Sequence, residues 1–305
     1  MAPRYTDTMN TPAALLLITG LLLGLTFPLG KLAAAAAVPP LVWAFLLSGG
    51  SALCLIALRL GAGSRVRIKA PYSRYYVLSA SVSLVLPNAL IFIVVSRLGA
   101  GFTSIFFTLS PIFTLLLSSL LQVRVPSALG IAGVLTGFVG AIIVAWTRGE
   151  AAQPAQWIWV LAGLCIPVSL AIGNVYRTVA WPVGGEPLEL AAGSNAAAAG
   201  LLFIAVWWVD GLGALATLRD VPVLALAQVL ASTAMFTTFF RLQLAGGPTY
   251  LSQIGYVAAA VALFAGTVFL GERYAALTWI GAGVIFVGVL CSIAASRQVT
   301  PARSE

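Results

Sequence analysis

Apolar runs of helix length follow one another along almost the whole chain, broken only by short stretches carrying proline, glycine or arginine. Inside a bilayer the backbone must satisfy its own hydrogen bonds, so a chain of this kind can cross only as helices or as a closed barrel. The runs are continuously apolar rather than alternating residue by residue, which excludes a membrane β-barrel. Hydrophobic residues make up 61% and charged residues 8% of the chain, against roughly a quarter charged in an average soluble domain. A hydrocarbon core about 30 Å thick takes about 20 residues per helix. The 305 residues therefore hold ten spans with no room for a separate soluble domain, expected at 12–37, 40–60, 73–96, 99–122, 127–146, 157–180, 187–209, 221–243, 247–270 and 275–296. The first run follows Arg4 but is too long for the apolar core of a signal peptide and is read as the first helix. The expected fold class is an all-α integral membrane protein.

The net charge of +8 is explained by topology rather than by nucleic acid. With a cytoplasmic N-terminus, the inside segments hold Arg4, Arg59, Arg65, Arg67, Lys69, Arg74, Arg124, Arg177, Arg241, Arg297 and Arg303. The outside ones hold only Lys31, Arg97, Arg148, Arg219 and Arg273. That bias predicts both termini in the cytoplasm, and the protein is expected in the cell's inner membrane. The acids Asp7, Glu186, Glu189 and Glu305 fall inside and Glu150, Asp210, Asp220 and Glu272 outside, so they do not decide orientation. Cys54, Cys165 and Cys291 fall within spans and read as buried small apolar residues. There is no histidine, which removes the commonest metal ligand and proton shuttle. Without a histidine or a carboxylate near the centre of a span, the chain offers neither a nucleophile with its base nor a metal centre, so an enzyme, a cofactor and a metal are not expected.

The second half repeats the first. Leu98 to Gly140 carries small residues, an apolar run, Arg124, Gly130 and Gly137; Ala245 to Gly288 carries the same order with Arg273, Gly281 and Gly288. Residues 1–150 and 151–305 thus form two units of five spans each. An odd-numbered unit enters the membrane upside down the second time, and inverted repeats are the usual architecture of alternating-access transporters.

Four local patterns sharpen this. Gly24, Phe27 and Lys31 stand at small-x-x-aromatic-x-x-x-Lys spacing in the first span, and Gly173-Asn174-Val175-Tyr176-Arg177 occupies the matching place in the sixth. Leu109-Ser110-Pro111-Ile112-Phe113 forms a Leu-x-Pro kink, and Leu270-Gly271-Glu272-Arg273 precedes Trp279, Gly281 and Gly288. In this order, over most of the chain, they resemble the drug/metabolite transporter superfamily, specifically its EamA-type repeats such as those of YddG-like exporters of aromatic or neutral amino acids. The resemblance implies a five-plus-five inverted topology and export of a small metabolite, with amino acids or lipophilic cations as substrates. Two departures stand out: Gln122-Val123-Arg124 where Gly-Glu-Arg is expected, and Ala260 in place of a proline.

Each singled-out residue also has a plainer reading. Lys31 and Arg177 lie near span ends, where long cationic chains snorkel to the interface; the other role is gating or substrate contact. Gly20, Gly24, Gly133, Gly137, Gly281 and Gly288 read as points of close helix packing. Pro28, Pro87, Pro111 and Pro167 each remove a backbone hydrogen bond and bend their span.

A substrate cavity is expected where polar or aromatic residues interrupt the apolar spans. The third span offers Ser81, Asn88 and Phe92; the fourth Thr103, Phe106, Phe107 and Ser110. The eighth offers Gln228, Ser232, Met235 and Phe239 on one face, and the ninth Tyr250, Gln253 and Tyr256. Trp43, Trp159, Ser169 and Asn174 complete the lining. The competing reading of these faces is interhelical hydrogen bonding. Aromatic rings with side-chain amides and no carboxylate suit an amphipathic solute, through cation–π attraction and amide contacts. The expected partners are a small-molecule substrate and the lipid bilayer, with no nucleic acid and with a monomer sufficient. The absence of a central carboxylate points to flux down the solute's own gradient, or with the membrane potential for a cation, by rocking of the two repeats. Carriage of nucleotide sugars or phosphorylated metabolites, and a non-transporting scaffold or sensor, are the alternatives.

Overall fold

The computed structural model describes residues 11–123, 127–146, 157–271, 273 and 275–298. Arg4, Asp7, Arg124, Arg148, Glu150, Glu272, Arg303 and Glu305 lie outside the described residues. Among the described residues the chain is helical throughout: α1 Pro12–Ala35, α2 Pro40–Gly61, α3 Ala70–Leu98, α4 Ala100–Leu120, α5 Ala128–Trp146, α6 Trp157–Val179, α7 Pro187–Val209, α8 Pro222–Ser252, α9 Ile254–Leu270 and α10 Ala276–Gln298. A 3-10 helix, Leu212–Asp220, links α7 to α8. Six of these helices are long and apolar enough to cross a membrane, and shorter apolar segments lie at Phe106–Leu120, Ala128–Gly140, Ile254–Leu270 and Ala276–Cys291. Their outward faces stay apolar: Leu53, Leu120, Trp208, Val223 and Phe269 are all largely exposed. Such a continuous apolar exterior is stable in lipid and not in water, so this is a multi-pass membrane protein.

The helix ends follow from local chemistry. Proline opens α1, α2, α7 and α8, where its missing N–H would have no intrahelical partner anyway. Thr11 adds a side-chain cap by accepting from the Ala14 N–H at 3.3 Å. Positive backbone φ marks the joints, and it occurs in matched pairs. Ala37 (59°) follows α1 and Gly184 (70°) follows α6; Gly63 (70°) and Gly211 (75°) follow α2 and α7. Gly99 (83°) and Gly247 (72°) precede α4 and the approach to α9, and Gln122 (51°) and Gly271 (64°) follow α4 and α9. All the positive-φ residues among those described fall into these pairs. Ala37 and Gln122 carry a Cβ into this region at roughly 1–2 kcal/mol each.

Helices from the two halves interleave. α5 packs on α10, α2 on α7, and α4 against α9; α1 lies against α8 and α9, as α6 lies against α3 and α4. Glycines set the closest crossings. A Cβ on Gly288 would stand 2.5 Å from the Gly137 backbone nitrogen, and one on Gly140 2.7 Å from the Gly281 carbonyl, so α5 and α10 meet backbone to backbone. Gly20 and Gly24 give α1 the same approach to Val257 and Val261 of α9.

The break expected between the spans 221–243 and 247–270 falls at Gly247, whose backbone is non-helical, and a second pause follows at Gln253 before α9. Two expectations need correction. α3 is not a regular helix: Ser81–Val85 forms a π turn just before Pro87. The cysteines are unpaired, but Cys165 is exposed and Cys54 and Cys291 are only half-buried, so they face toward lipid rather than the core.

Candidate substrate cavity

A proline in a helix frees carbonyls one turn earlier, and α3 uses that freedom at the centre of the bundle. The π turn widens α3 by one residue below Pro87, and the Val82 carbonyl accepts a hydrogen bond from the Ser169 hydroxyl of α6 at 2.5 Å. Gly173, one turn further along α6, makes the approach possible: a Cβ there would overlap the Ser83 hydroxyl. α3 and α6 are thus held side by side with polar backbone satisfied between them.

Beside this contact lies a small, partly open cavity of about 50 Å³, smaller than the roughly 300–1,000 Å³ of most small-molecule sites. Its wall is mostly apolar, formed by Leu23 of α1, Leu84 and Ile91 of α3, Phe107 of α4, Leu170 of α6, Met235, Phe236 and Phe239 of α8, and Ile254 of α9. The polar groups are Ser83, Asn88, Ser110, Asn174 and Ser252. Asn88 Nδ2 and Ser83 Oγ are buried without hydrogen-bond partners, and no carboxylate lines the wall. Phe27 and Phe107 pack edge to face at 5.1 Å, fixing the α1–α4 side.

At one end the cavity is closed in layers. Arg177 of α6 stands directly behind Asn174 and Phe239, with its guanidinium 4.7 Å over the Phe239 ring. Tyr75, Trp181 and Phe240 follow, Tyr75 and Trp181 at 6.3 Å and Trp181 and Phe240 at 6.4 Å. Outermost is a polar clasp between the α2–α3 and α6–α7 connections. Arg59 donates to Glu186 at 2.8 Å, and Arg67 pairs with the fully buried Glu189 at 2.5 Å through both side chain and backbone N–H. Arg67 also donates to the Gly184 carbonyl at 2.6 Å and lies over the Tyr72 ring, while the Tyr72 hydroxyl donates to the Val183 carbonyl.

Of the residues expected to line a site, Asn88, Phe107, Ser110, Asn174, Met235 and Phe239 meet in this cavity. The others lie elsewhere. Ser81 donates to the Val77 carbonyl of its own helix, because the π turn rotates Ser83 into its place. Phe92 is packed near Trp43 by Gly30, which has no side chain to keep them off. Phe106 fills the space over Gly163. Trp159 lies under the Arg97 guanidinium at the start of α6. Ser169 serves the Val82 carbonyl. Ser232 accepts from Ser51 of α2 at 2.8 Å, and Gln228, fully buried, sits a turn away without partners. Tyr250 packs on Gly246, and Gln253 caps the pause before α9 with its Oε1 unpartnered. Tyr256 turns toward α5, its ring against Gly137 and its hydroxyl donating to the Val134 carbonyl. Thr103 hydrogen-bonds the Gly99 carbonyl. Lys31 is half-buried at the end of α1. Ser83 and Ser252 were missed; the signal for Ser83 was its place four residues before Pro87. The apolar lining residues carried no signal, since an apolar side chain in a membrane helix suits lipid and cavity alike.

Comparison with known proteins bears on the whole arrangement. Residues 10–146 are similar to the EamA-like transporter family. A solved crystal structure of a protein aligns with a TM-score of 0.67 at 19% identity, covering 94% of this chain and 99% of that one, which shows a shared fold. No curated protein matches the chain.

Proposed function

We propose that the protein is a ten-span exporter of small amphipathic metabolites, foremost amino acids with aromatic or neutral side chains, which works by alternating access between two inverted five-helix units. The observation that carries this is the central cavity: both halves contribute to it, its walls are apolar and aromatic, and its polar groups are amides and hydroxyls. The matched positive-φ joints and the interleaved helix contacts support units of 1–150 and 151–305 with one ancestral plan. The distribution of arginine supports an inner-membrane orientation with both termini in the cytoplasm. In that orientation the Arg59–Glu186 and Arg67–Glu189 clasp closes the cytoplasmic side, and both pairs join the halves, so opening inward requires breaking them.

A carrier of nucleotide sugars or phosphorylated metabolites would need several cations around the ligand, and no cationic side chain lines this wall; the guanidinium of Arg177 stands behind it. With no carboxylate lining the cavity, solute flux needs no proton relay through it. The test is counterflow in proteoliposomes loaded with L-phenylalanine. Exchange of labelled phenylalanine without a proton gradient is the expected result; no exchange, or exchange only under an imposed proton gradient, would overturn the reading.

A further inference from the structure

Arg177 is charged, 1% exposed and faces no carboxylate within ion-pairing distance among the described residues. Its contacts are all neutral. Nη2 donates to Asn174 Oδ1 at 2.6 Å and Nε to Gln243 Oε1 at 3.3 Å, while Nη1 has no partner. Gln243 is itself fixed: its amide nitrogen donates to the Asn174 carbonyl at 3.1 Å and to Thr178 Oγ1 at 2.5 Å, so only its oxygen can face the guanidinium. Nothing in this arrangement balances the charge, and an unbalanced buried ion costs several kcal/mol even after relaxation. A side chain that served only to staple α6 to α8 would do so without that cost as a neutral amide.

Arg177 also stands one side chain from the cavity. Asn174 and Phe239, which it touches, both line the wall, and Asn174 Nδ2 makes only a long 3.4 Å bond to Thr114. We infer that Arg177, presented through Asn174, is the anchor for the carboxylate of an organic solute whose apolar part lies against the aromatic wall. The missing counter-charge is the substrate's own. A carboxylate at Asn174 takes the free Nδ2 hydrogen and reaches the open Nη1 position, in a site where charged hydrogen bonds are strong because water is excluded. The site then selects for carboxylate and excludes purely cationic solutes. This rests on the transport reading above and narrows its substrate class.

The test uses purified full-length protein in detergent, with affinity read from ligand-induced thermal stabilisation. The probes share one ring: L-phenylalanine, hydrocinnamate (carboxylate only) and phenethylamine (amine only). Wild-type protein is expected to bind the first two and not the third. Asn174→Asp, nearly isosteric, supplies an internal counter-charge; it is expected to weaken hydrocinnamate binding by about thirtyfold or more while leaving the protein monodisperse. Arg177→Gln is expected to do the same and, if it does not fold, Asn174→Asp carries the test. Equal binding of phenethylamine and phenylalanine by wild type, or equal loss for all probes in Asn174→Asp, would overturn the anchor and leave the transport reading standing. Failure of all three probes to bind wild type would overturn both.

Discussion

The ends of α1 and α6 carry the same cationic motif and have opposite fates. Lys31 stays half-buried, whereas Arg177 is drawn fully inside. The neighbours decide this. Three residues before Arg177 stands Asn174; three before Lys31 stands Pro28, which offers no side-chain acceptor. Gln243 lies four residues before the break at Gly247, and Val95 four before its counterpart Gly99. Five residues after Gly184 comes the buried Glu189 of the clasp; five after Ala37 comes Val42. Two halves that share joints and helix contacts thus differ in polarity, and the Arg59–Glu186 and Arg67–Glu189 ion pairs lie at one end of the bundle. Backbone plan and electrostatic function have separated.

The sharpest way to break this comparison is to unlock the clasp. Glu189→Gln removes the charge that Arg67 meets and should lower the unfolding midpoint in detergent more than any other change here, because Glu189 itself is buried. It should also raise labelling of cysteines placed below Trp181 by an aqueous maleimide. An unchanged unfolding midpoint would mean that the clasp holds nothing. Next, Gln243→Leu strips the acceptor from Arg177 Nε and should cost about 2 kcal/mol. An unchanged midpoint would show that Arg177 does not depend on this amide. The smallest effect is at the paired αL joints. Gln122→Gly should stabilise by up to about 1 kcal/mol and Gly271→Ala destabilise by about the same, read by thermal unfolding in detergent. The same sign for both would deny that the positions correspond.

The helices and their close packing were legible because they depend on local chemistry. Proline starts, apolar length and the glycines Gly20, Gly24, Gly137 and Gly288 each act within a turn or two of their own position. The cavity was only half legible, because which face of a helix meets which neighbour is not a local property. α8 shows it: Gln228, Ser232, Met235 and Phe239 share a face, yet Ser232 ends against α2 and the last two reach the cavity, since a long helix changes neighbours along its length. In α3 a single surplus residue was enough to exchange Ser81 for Ser83. Tyr256 left the site because Gly137 made room for its ring on the other side.

The π turn of α3 behaves as a dislocation behaves in a solid. A surplus residue can travel along a helix by trading wide-turn bonds for ordinary ones one at a time, and each turn it passes rotates about the axis by roughly 100°. Pro87 blocks its travel on one side, and the Ser169 hydroxyl on the Val82 carbonyl pins it on the other. Held on both sides, the surplus residue stays where it fixes the rotation of the turn, so that Ser83 and not Ser81 is presented to the cavity.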